Sequence, residues 1–258
     1  MSKDVVADHF DQYAAKWHDR LEQYSFRARR DVVRTMVKDH RFGFVVDVGC
    51  GTGDYAPLFN PAESNYHGID ISEKMVGECR KLYPDYEFSV GDGDKSGLSD
   101  NFADLVLSIG VLEYYDEPEA HFTEISRITK KGGTAIIAVP NGENIARERE
   151  QRFIDFMAPA LRLKKILIPS IRQKKTEGYV KDERIKHKKY SESQMALLGN
   201  GYGLEIKEVR FVNLLLIPHI IDRFVRLNPF ISEYFPPNVM KGVARKYSSI
   251  LICRYEKS

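Results

Sequence analysis

The sequence predicts an α/β fold, a doubly wound and mostly parallel sheet with helices on both faces, and three features carry that expectation. The first is the run Val45-Val46-Asp47-Val48-Gly49-Cys50-Gly51-Thr52-Gly53-Asp54-Tyr55, where an apolar strand gives way to a glycine-dense turn and the start of a helix. Glycines at alternate positions let the backbone take positive φ and approach a ligand that a Cβ would obstruct. A following helix would point its free N–H groups at that ligand. The second feature is His67-Gly68-Ile69-Asp70-Ile71, a strand ending in an acid about twenty residues beyond the glycines, the spacing from which a carboxylate holds ribose hydroxyls. The third is the alternation of further strands, over 86–90, 103–108 and 134–139, with helical stretches, which builds parallel units covered on both faces.

Each element has its own justification. Residues 5–21 read as an amphipathic helix with Val6, Phe10, Tyr13, Ala14, Trp17 and Leu21 on one face, and 27–40 as a second built on Val32, Val33, Met36 and Val37. After the Asp70 strand, Ser72 is a helix N-cap, and Met75, Val76, Cys79 and Leu82 repeat at helical spacing. The stretch from 141 to the next strand, 204–211, is too long for an ordinary loop, so it is expected to hold an inserted helical, basic cap. Ser191 caps a short helix through 198, and the last strand runs over 249–255. The resulting organisation is 1–41 N-terminal helices or lid, 42–140 core, 141–190 cap insertion and 191–258 C-terminal part of the core. The apolar connector 213–239 lies within that last part. It fits a second piece of the cap, a dimer face or a membrane-surface contact, with packing inside the chain the simplest reading.

Composition sets the bounds. With 258 residues, 43% hydrophobic and 29% charged, the chain can bury a normal core. A formal charge of +2 names no partner by itself. Its distribution is less even: between 161 and 190, eleven Lys or Arg stand against Glu177, Asp182 and Glu183. Solvated charge is the ordinary reading of such a strip, and steering of an anion the functional one. Met1-Ser2-Lys3-Asp4 does not open a charged-then-apolar leader, and no apolar run approaches the roughly twenty residues that span a bilayer, so a cytoplasmic protein, peripheral to a membrane at most, is expected. Cys50, Cys79 and Cys253 lack ligand spacing and read as buried thiols.

A dinucleotide fingerprint needs a small residue three places after Gly51, where this chain has Asp54. That acid is wrong for a pyrophosphate and suits a cofactor carrying positive charge. Asp47, Gly49, Gly51 and Gly53 form D-x-G-x-G-x-G, which resembles motif I of the class I S-adenosylmethionine (SAM) dependent methyltransferases. The resemblance continues through Asp70, through the turn Gly91-Asp92-Gly93-Asp94, through Phe102-Ala103-Asp104 leading into Leu112-Glu113-Tyr114-Tyr115, and through Lys130-Lys131-Gly132-Gly133, where Lys131 replaces the family's proline. Together these motifs, from 45 to 140, cover a little over a third of the chain. They imply a Rossmann-like seven-stranded sheet with an antiparallel edge strand, which the last strand should supply. The aromatic N-terminal helix is similar to that of the small-molecule methyltransferases of the ubiquinone/menaquinone and biotin-pathway type.

The resemblance implies SAM as cofactor, S-adenosylhomocysteine (SAH) as product, and no metal. It assigns Asp47 to orienting the loop, Gly49, Gly51 and Gly53 to the methionyl part, Asp70 to the ribose, Ile71 to the adenine face and Asp92 to the adenine amine. Cys50, Thr52, Met75, Gly93, Ser108 and Ile109 complete the cofactor set, and Tyr13 and Trp17 belong to the lid over the substrate. The family often has a histidine near the position of Tyr114, and its absence here weakens histidine base catalysis at that place. Tyr114, His18 and His219 remain the catalytic candidates, each with a packing or surface reading beside it. The acceptor is expected to be a small molecule, amphiphilic, lipid-like or carrier-bound. An RNA methyltransferase and a SAM-binding non-catalytic partner subunit are the alternatives. Base methylation is disfavoured because Ser108-Ile109-Gly110-Val111 is no Asn/Asp-Pro-Pro-aromatic turn and no cysteine follows a proline; a nicotinamide oxidoreductase is disfavoured by Asp54.

Overall fold

The computed structural model describes residues 2–21, 24–145, 152, 185, 187–214 and 241–258. Two helices come first, α1 (Lys3–Leu21) and α2 (Tyr24–Val37). Strands β1 (Phe44–Val48), β2 (Asn65–Asp70), β3 (Glu87–Val90), β4 (Ala103–Ile109) and β5 (Thr129–Pro140) follow, with α3 (Glu73–Leu82) between β2 and β3 and α4 (Pro118–Ile128) between β4 and β5. The chain ends with α5 (Glu192–Gly201), β6 (Leu204–Leu214), α6 (Lys241–Tyr247) and β7 (Ser248–Lys257). Most of the expected cap insertion and of the apolar connector, with Lys174, Lys175 and His219, lies outside the described residues.

The seven strands form one sheet in the order β3-β2-β1-β4-β5-β7-β6. The first five are parallel, and β7 runs antiparallel to both β5 and β6. The mixed edge of the sheet is therefore the β6–β7 pair, and the reversed last strand sits one place inside it. Successive strand residues face opposite sides: Val46 and Val48 join Phe122, Ile125, Met195 and Tyr255 under α4 and α5, while Val45 joins Val33, Met36, Val76 and Leu107 under α2 and α3. Local chemistry starts the helices. The Ser72 hydroxyl accepts from Met75 N–H at 3.1 Å, and Ser191 and Gln194 make a reciprocal capping box at α5. Among the described residues, no helix is long and apolar enough to cross a membrane.

Two local expectations change. The glycine run opens no α-helix; only a 3-10 turn at Ala56–Leu58 forms before β2. Pro57 is tolerated at that turn's start, but Pro61 soon after has no N–H to continue a helix, which leaves too few residues for a stable one. The Lys130–Gly133 stretch is drawn into β5, and the irregularity appears as a register shift opposite β4 between Ala103 and Leu105.

Candidate active site

Because β1 hands on to β2 on one side while β4 pairs with β1 on the other, the chain reverses its winding between β1 and β4, and a crevice opens at their carboxyl ends. A cavity of about 550 Å³ occupies this place. Its floor is the glycine turn and the end of β2, one wall is the segment after β4, and α1 and α2 roof it with Phe10, Trp17 and Phe26.

Gly49, at φ +74°, lets the turn leave β1; a Cβ there would stand 2.2 Å from Val111 Cγ2. Gly51, at φ +56°, faces the indole of Trp17 on α1. The turn is tied to β2: Gly49 and Cys50 N–H both donate to the Ile69 carbonyl (2.7 and 3.1 Å), and Gly51 N–H donates to Asp70 Oδ2 at 2.8 Å. The other Asp70 oxygen accepts from Ser72 N–H at 2.9 Å. Burial pushes the Asp70 carboxyl up to about 6, against the pull of those backbone N–H groups. Asp70 therefore fixes the turn. Asp47, expected to orient it, instead accepts from the Tyr66 hydroxyl at 2.6 Å beneath the turn, and its Oδ1 is buried without a partner. Burial raises its carboxyl to about 7. Asp54 reaches the cavity already paired with Arg30 at 2.7 Å, so it offers less negative charge than its position suggested.

Of the residues expected at the site, Gly49, Cys50, Gly51, Thr52, Asp70, Ile71, Gly93, Ile109, Tyr114 and Trp17 line the cavity. Asp47, Gly53, Met75, Asp92, Ser108 and Tyr13 do not. Met75 is fully buried in α3. Ser108 bonds His121 Nε2 at 2.8 Å, and His121 Nδ1 meets the Gly93 carbonyl at 2.9 Å, a buried link that holds the β3 turn to β4. Burial lowers that imidazole to about 4, so it is neutral at pH 7. Asp92 is taken by Lys3 of α1 at 2.6 Å and by the Tyr115 hydroxyl at 2.8 Å, bonds that hold its carboxyl below the usual range against the upward pull of burial. Hydrogen bonding with Cys79, with burial adding to it, keeps the Cys50 thiol protonated, which removes it as a nucleophile. His18 lies in α1, but its side chain, like all of His219, is outside the described residues.

The roof is aromatic and latched at its edges. Phe10 packs edge-on against Trp17 and Tyr114 at 5.4 Å each, and Trp17 against Phe26 at 6.1 Å. Lys3 bridges to Asp94 as well as Asp92, and Asp11 accepts from the Ser72 hydroxyl. Among the charged or titratable lining residues that escaped the sequence reading are Arg29, Glu113 and His187. Glu113 lay in plain view in Leu112-Glu113-Tyr114-Tyr115, but a motif read for its missing histidine gave its acid no role. Arg29 sits on a helix whose apolar stripe alone was informative.

The methyltransferase-domain family profile matches residues 46–137, from β1 into β5. This stretch is a class I SAM-dependent methyltransferase domain. Over 149 residues this chain is 28% identical to malonyl-[acyl-carrier protein] O-methyltransferase of Alcanivorax borkumensis, a match that covers 56% of this chain and 50% of the relative. It is 32% identical over 167 residues to demethylmenaquinone methyltransferase of Paenarthrobacter aurescens, covering 60% and 65%. The chain thus spans about half to two thirds of these curated relatives. Among solved structures, magnesium protoporphyrin IX methyltransferase of Synechocystis with bound SAH superposes with a TM-score of 0.62 at 16% identity over 100% of both chains. A structure of a Haloferax volcanii putative methyltransferase in complex with the Trm112 methyltransferase activator gives 0.64 at 22%, covering 96% of this chain and 97% of that one. These likenesses concern the methyltransferase fold, which in both extends well beyond the profile match. Among the described residues, no cluster of three His, Cys, Asp or Glu is placed to hold a metal ion.

Proposed function

We propose that the chain is an enzyme that moves the methyl group of SAM to a small-molecule acceptor by in-line displacement. The observation carrying this reading is the roofed cavity that joins the glycine turn and Asp70 to the segment after β4. The residues present fit the cofactor. Gly51 leaves room below Trp17 where a longer side chain would intrude, and the Thr52 hydroxyl is buried beside the turn without a partner, suited to a polar end of the methionyl part. Asp70 keeps lone pairs free on both oxygens for ribose hydroxyls. Ile71 and Gly91 to Gly93 offer the adenine side, and an adenine amine reaches Asp92 only if Lys3 gives it up. SAM supplies an already activated sulfonium methyl. The protein's task is then alignment and exclusion of water, and alignment alone is worth roughly 7 kcal/mol or more.

The acceptor we assign is amphiphilic. An aromatic roof and a polar wall suit a molecule with one apolar and one polar end. Relatives named for a malonyl carrier protein, a demethylmenaquinone and phosphatidylethanolamine support that class. The proposed division into lid, core, cap and C-terminal part, over 1–41, 42–140, 141–190 and 191–258, stands on the same reading.

Calorimetric titration tests the cofactor assignment. SAM and SAH are expected to bind and NAD not to. Asp70→Ala leaves the ribose hydroxyls unpaired and should weaken SAM by about 1–3 kcal/mol. A folded Asp70→Ala chain that binds SAM as tightly as the unaltered one would remove the assignment.

A further inference from the structure

We propose that Glu113 is the proton acceptor of this site, and hence that the methyl acceptor is a nitrogen or oxygen nucleophile that carries a proton. The inference rests on the SAM-dependent reading above and narrows its substrate class. Its first support is a contrast between two acids of nearly equal burial. Glu124, 6% exposed, is fully engaged: Ser96 N–H donates at 2.7 Å, the Ser96 hydroxyl also donates, and Arg127 bonds it through Nε and Nη2 at 2.8 Å each. Glu113, 7% exposed, lines the cavity, and its Oε2 is buried with no partner. Leaving a buried carboxyl oxygen unmatched is unfavourable unless something else fills the place. A structural acid looks like Glu124. An acid waiting for a ligand looks like Glu113.

The surroundings agree. Glu113 belongs to the turn Leu112–Tyr114 that follows β4, and Val111 just before it packs on Gly49 of the glycine turn. The wall that holds the carboxyl thus adjoins the loop assigned to the methionyl part. Gly110 keeps this corner open. A Cβ there would lie 3.6 Å from Glu113 Oε1 and 3.2 Å from Arg29 Nη1. Arg29, from α2, stands near the carboxyl without closing an ion pair, and its Nε is also buried without a partner. The other titratable groups of this wall are Tyr114, Tyr115, Asp116, Glu117 and His187, with the Tyr190 phenol near the carboxyl, and the Lys188 backbone N–H holds the Glu113 carbonyl at 3.0 Å. Burial pushes the Glu113 carboxyl up to about 7, against the hydrogen bond of its own backbone N–H and the favourable field of Arg29, which puts its proton affinity where a general base works best at neutral pH.

Glu113 takes the proton that the acceptor nitrogen or oxygen gives up as its lone pair bonds the methyl carbon. The electron pair of the broken carbon–sulfur bond stays on sulfur, and Glu113 returns its proton to water once the site reopens. A carboxylate acceptor has no proton to give at neutral pH and gains nothing from this arrangement.

Sinefungin, in which a carbon-borne ammonium replaces the methylsulfonium of SAM, tests the placement without any acceptor. Calorimetry on the full chain is expected to show sinefungin binding about tenfold or more tightly over SAH at pH 8, from the ion pair with Glu113. The preference should fade at pH 6, where the carboxyl is protonated. Glu113→Gln should abolish both the preference and its pH dependence while leaving SAH affinity within about twofold. In the unaltered chain, Glu-δ-¹³C NMR should give a Glu113 midpoint near neutrality that falls when sinefungin is bound. A preference that survives Glu113→Gln, or a midpoint untouched by sinefungin, overturns the inference while SAH binding keeps the cofactor reading intact. Failure of both SAH and sinefungin to bind overturns the cofactor reading and this inference with it.

Discussion

Asp47, Asp70 and Glu113 share a property that links site chemistry to stability: burial raises all three carboxyls, to about 7, 6 and 7. A carboxyl raised on folding binds more protons in the native state than in the unfolded one. Stability then falls as pH rises from the unfolded value near 4 through the folded value. Asp92, Asp104 and Glu124 are held low and act oppositely, losing their contribution only in stronger acid. Thermal melts of the ligand-free chain are therefore expected to give a higher Tm near pH 5 than at pH 8. Glu113→Gln should raise Tm at pH 8, by on the order of 2–3 kcal/mol in stability, and flatten the pH dependence. A Tm that climbs steadily from pH 5 to 8 would contradict this balance. At this scale the sequence spoke only in part. Spacing marked Asp70 and the family resemblance marked Asp47, but neither told that Asp70 would take the turn's N–H and leave Asp47 to Tyr66. Nor does a sequence distinguish a satisfied Glu124 from an unsatisfied Glu113, because the partners come from elements distant in the chain.

Among the elements, α1 is the one whose place was most legible. Its aromatic face had no place in a sheet already covered by helices, and Phe10 and Trp17 indeed roof the cavity. What fastens it was hidden, since Lys3 and Asp11 look like ordinary surface charges until Asp92, Asp94 and Ser72 are brought to them. The Lys3 ion pairs, half exposed at the lysine, contribute about 1 kcal/mol or less each, and the Asp11–Ser72 hydrogen bond a similar amount. They are strong enough to favour closure and weak enough to release it. Lys3→Ala with Asp11→Ala is expected to speed SAM dissociation by several fold, with Tm changed little, in stopped-flow fluorescence of the single Trp17. Hydrogen exchange across α1 should slow when SAM binds the unaltered chain. Unchanged dissociation together with unchanged exchange would make α1 a packing helix only. The helix expected after the glycine turn was misread for a different reason: the strand-to-turn signal was correct, but the prolines that follow leave room for only a short 3-10 turn.

For the whole molecule, sheet order separates what holds the fold from what makes the site. Parallel alternation from β1 to β5 was legible because each strand ends in its own turn signal. The interior place of β7 was not, since strand order is set by pairing between distant segments and leaves no periodicity in the chain. That place makes the C-terminus structural. Leu251, Ile252, Cys253 and Tyr255 are fully buried between β5 and β6, and the Tyr255 hydroxyl donates to the Met195 carbonyl at 3.1 Å. Its ring also fills the space where a Cβ on Gly199 would come within 2.4 Å. Tyr255 pairs with Ala135 in the middle of β5, whereas the cavity opens beyond Ile109, which pairs with Ala138, about 10 Å further along the strand. Tyr255→Ala is therefore expected to destabilise the chain by about 3–5 kcal/mol and Tyr255→Phe by about 1 kcal/mol in urea unfolding. Both should leave the SAM Kd of the folded protein within about twofold, since the Tyr255 ring packs on Gly199 and Phe122 rather than lining the cavity. If Tyr255→Ala instead weakened SAM binding in the folded protein in proportion to its loss of stability, the sheet would be transmitting strain from β7 to the glycine turn, and core and site would have to be treated as one cooperative unit.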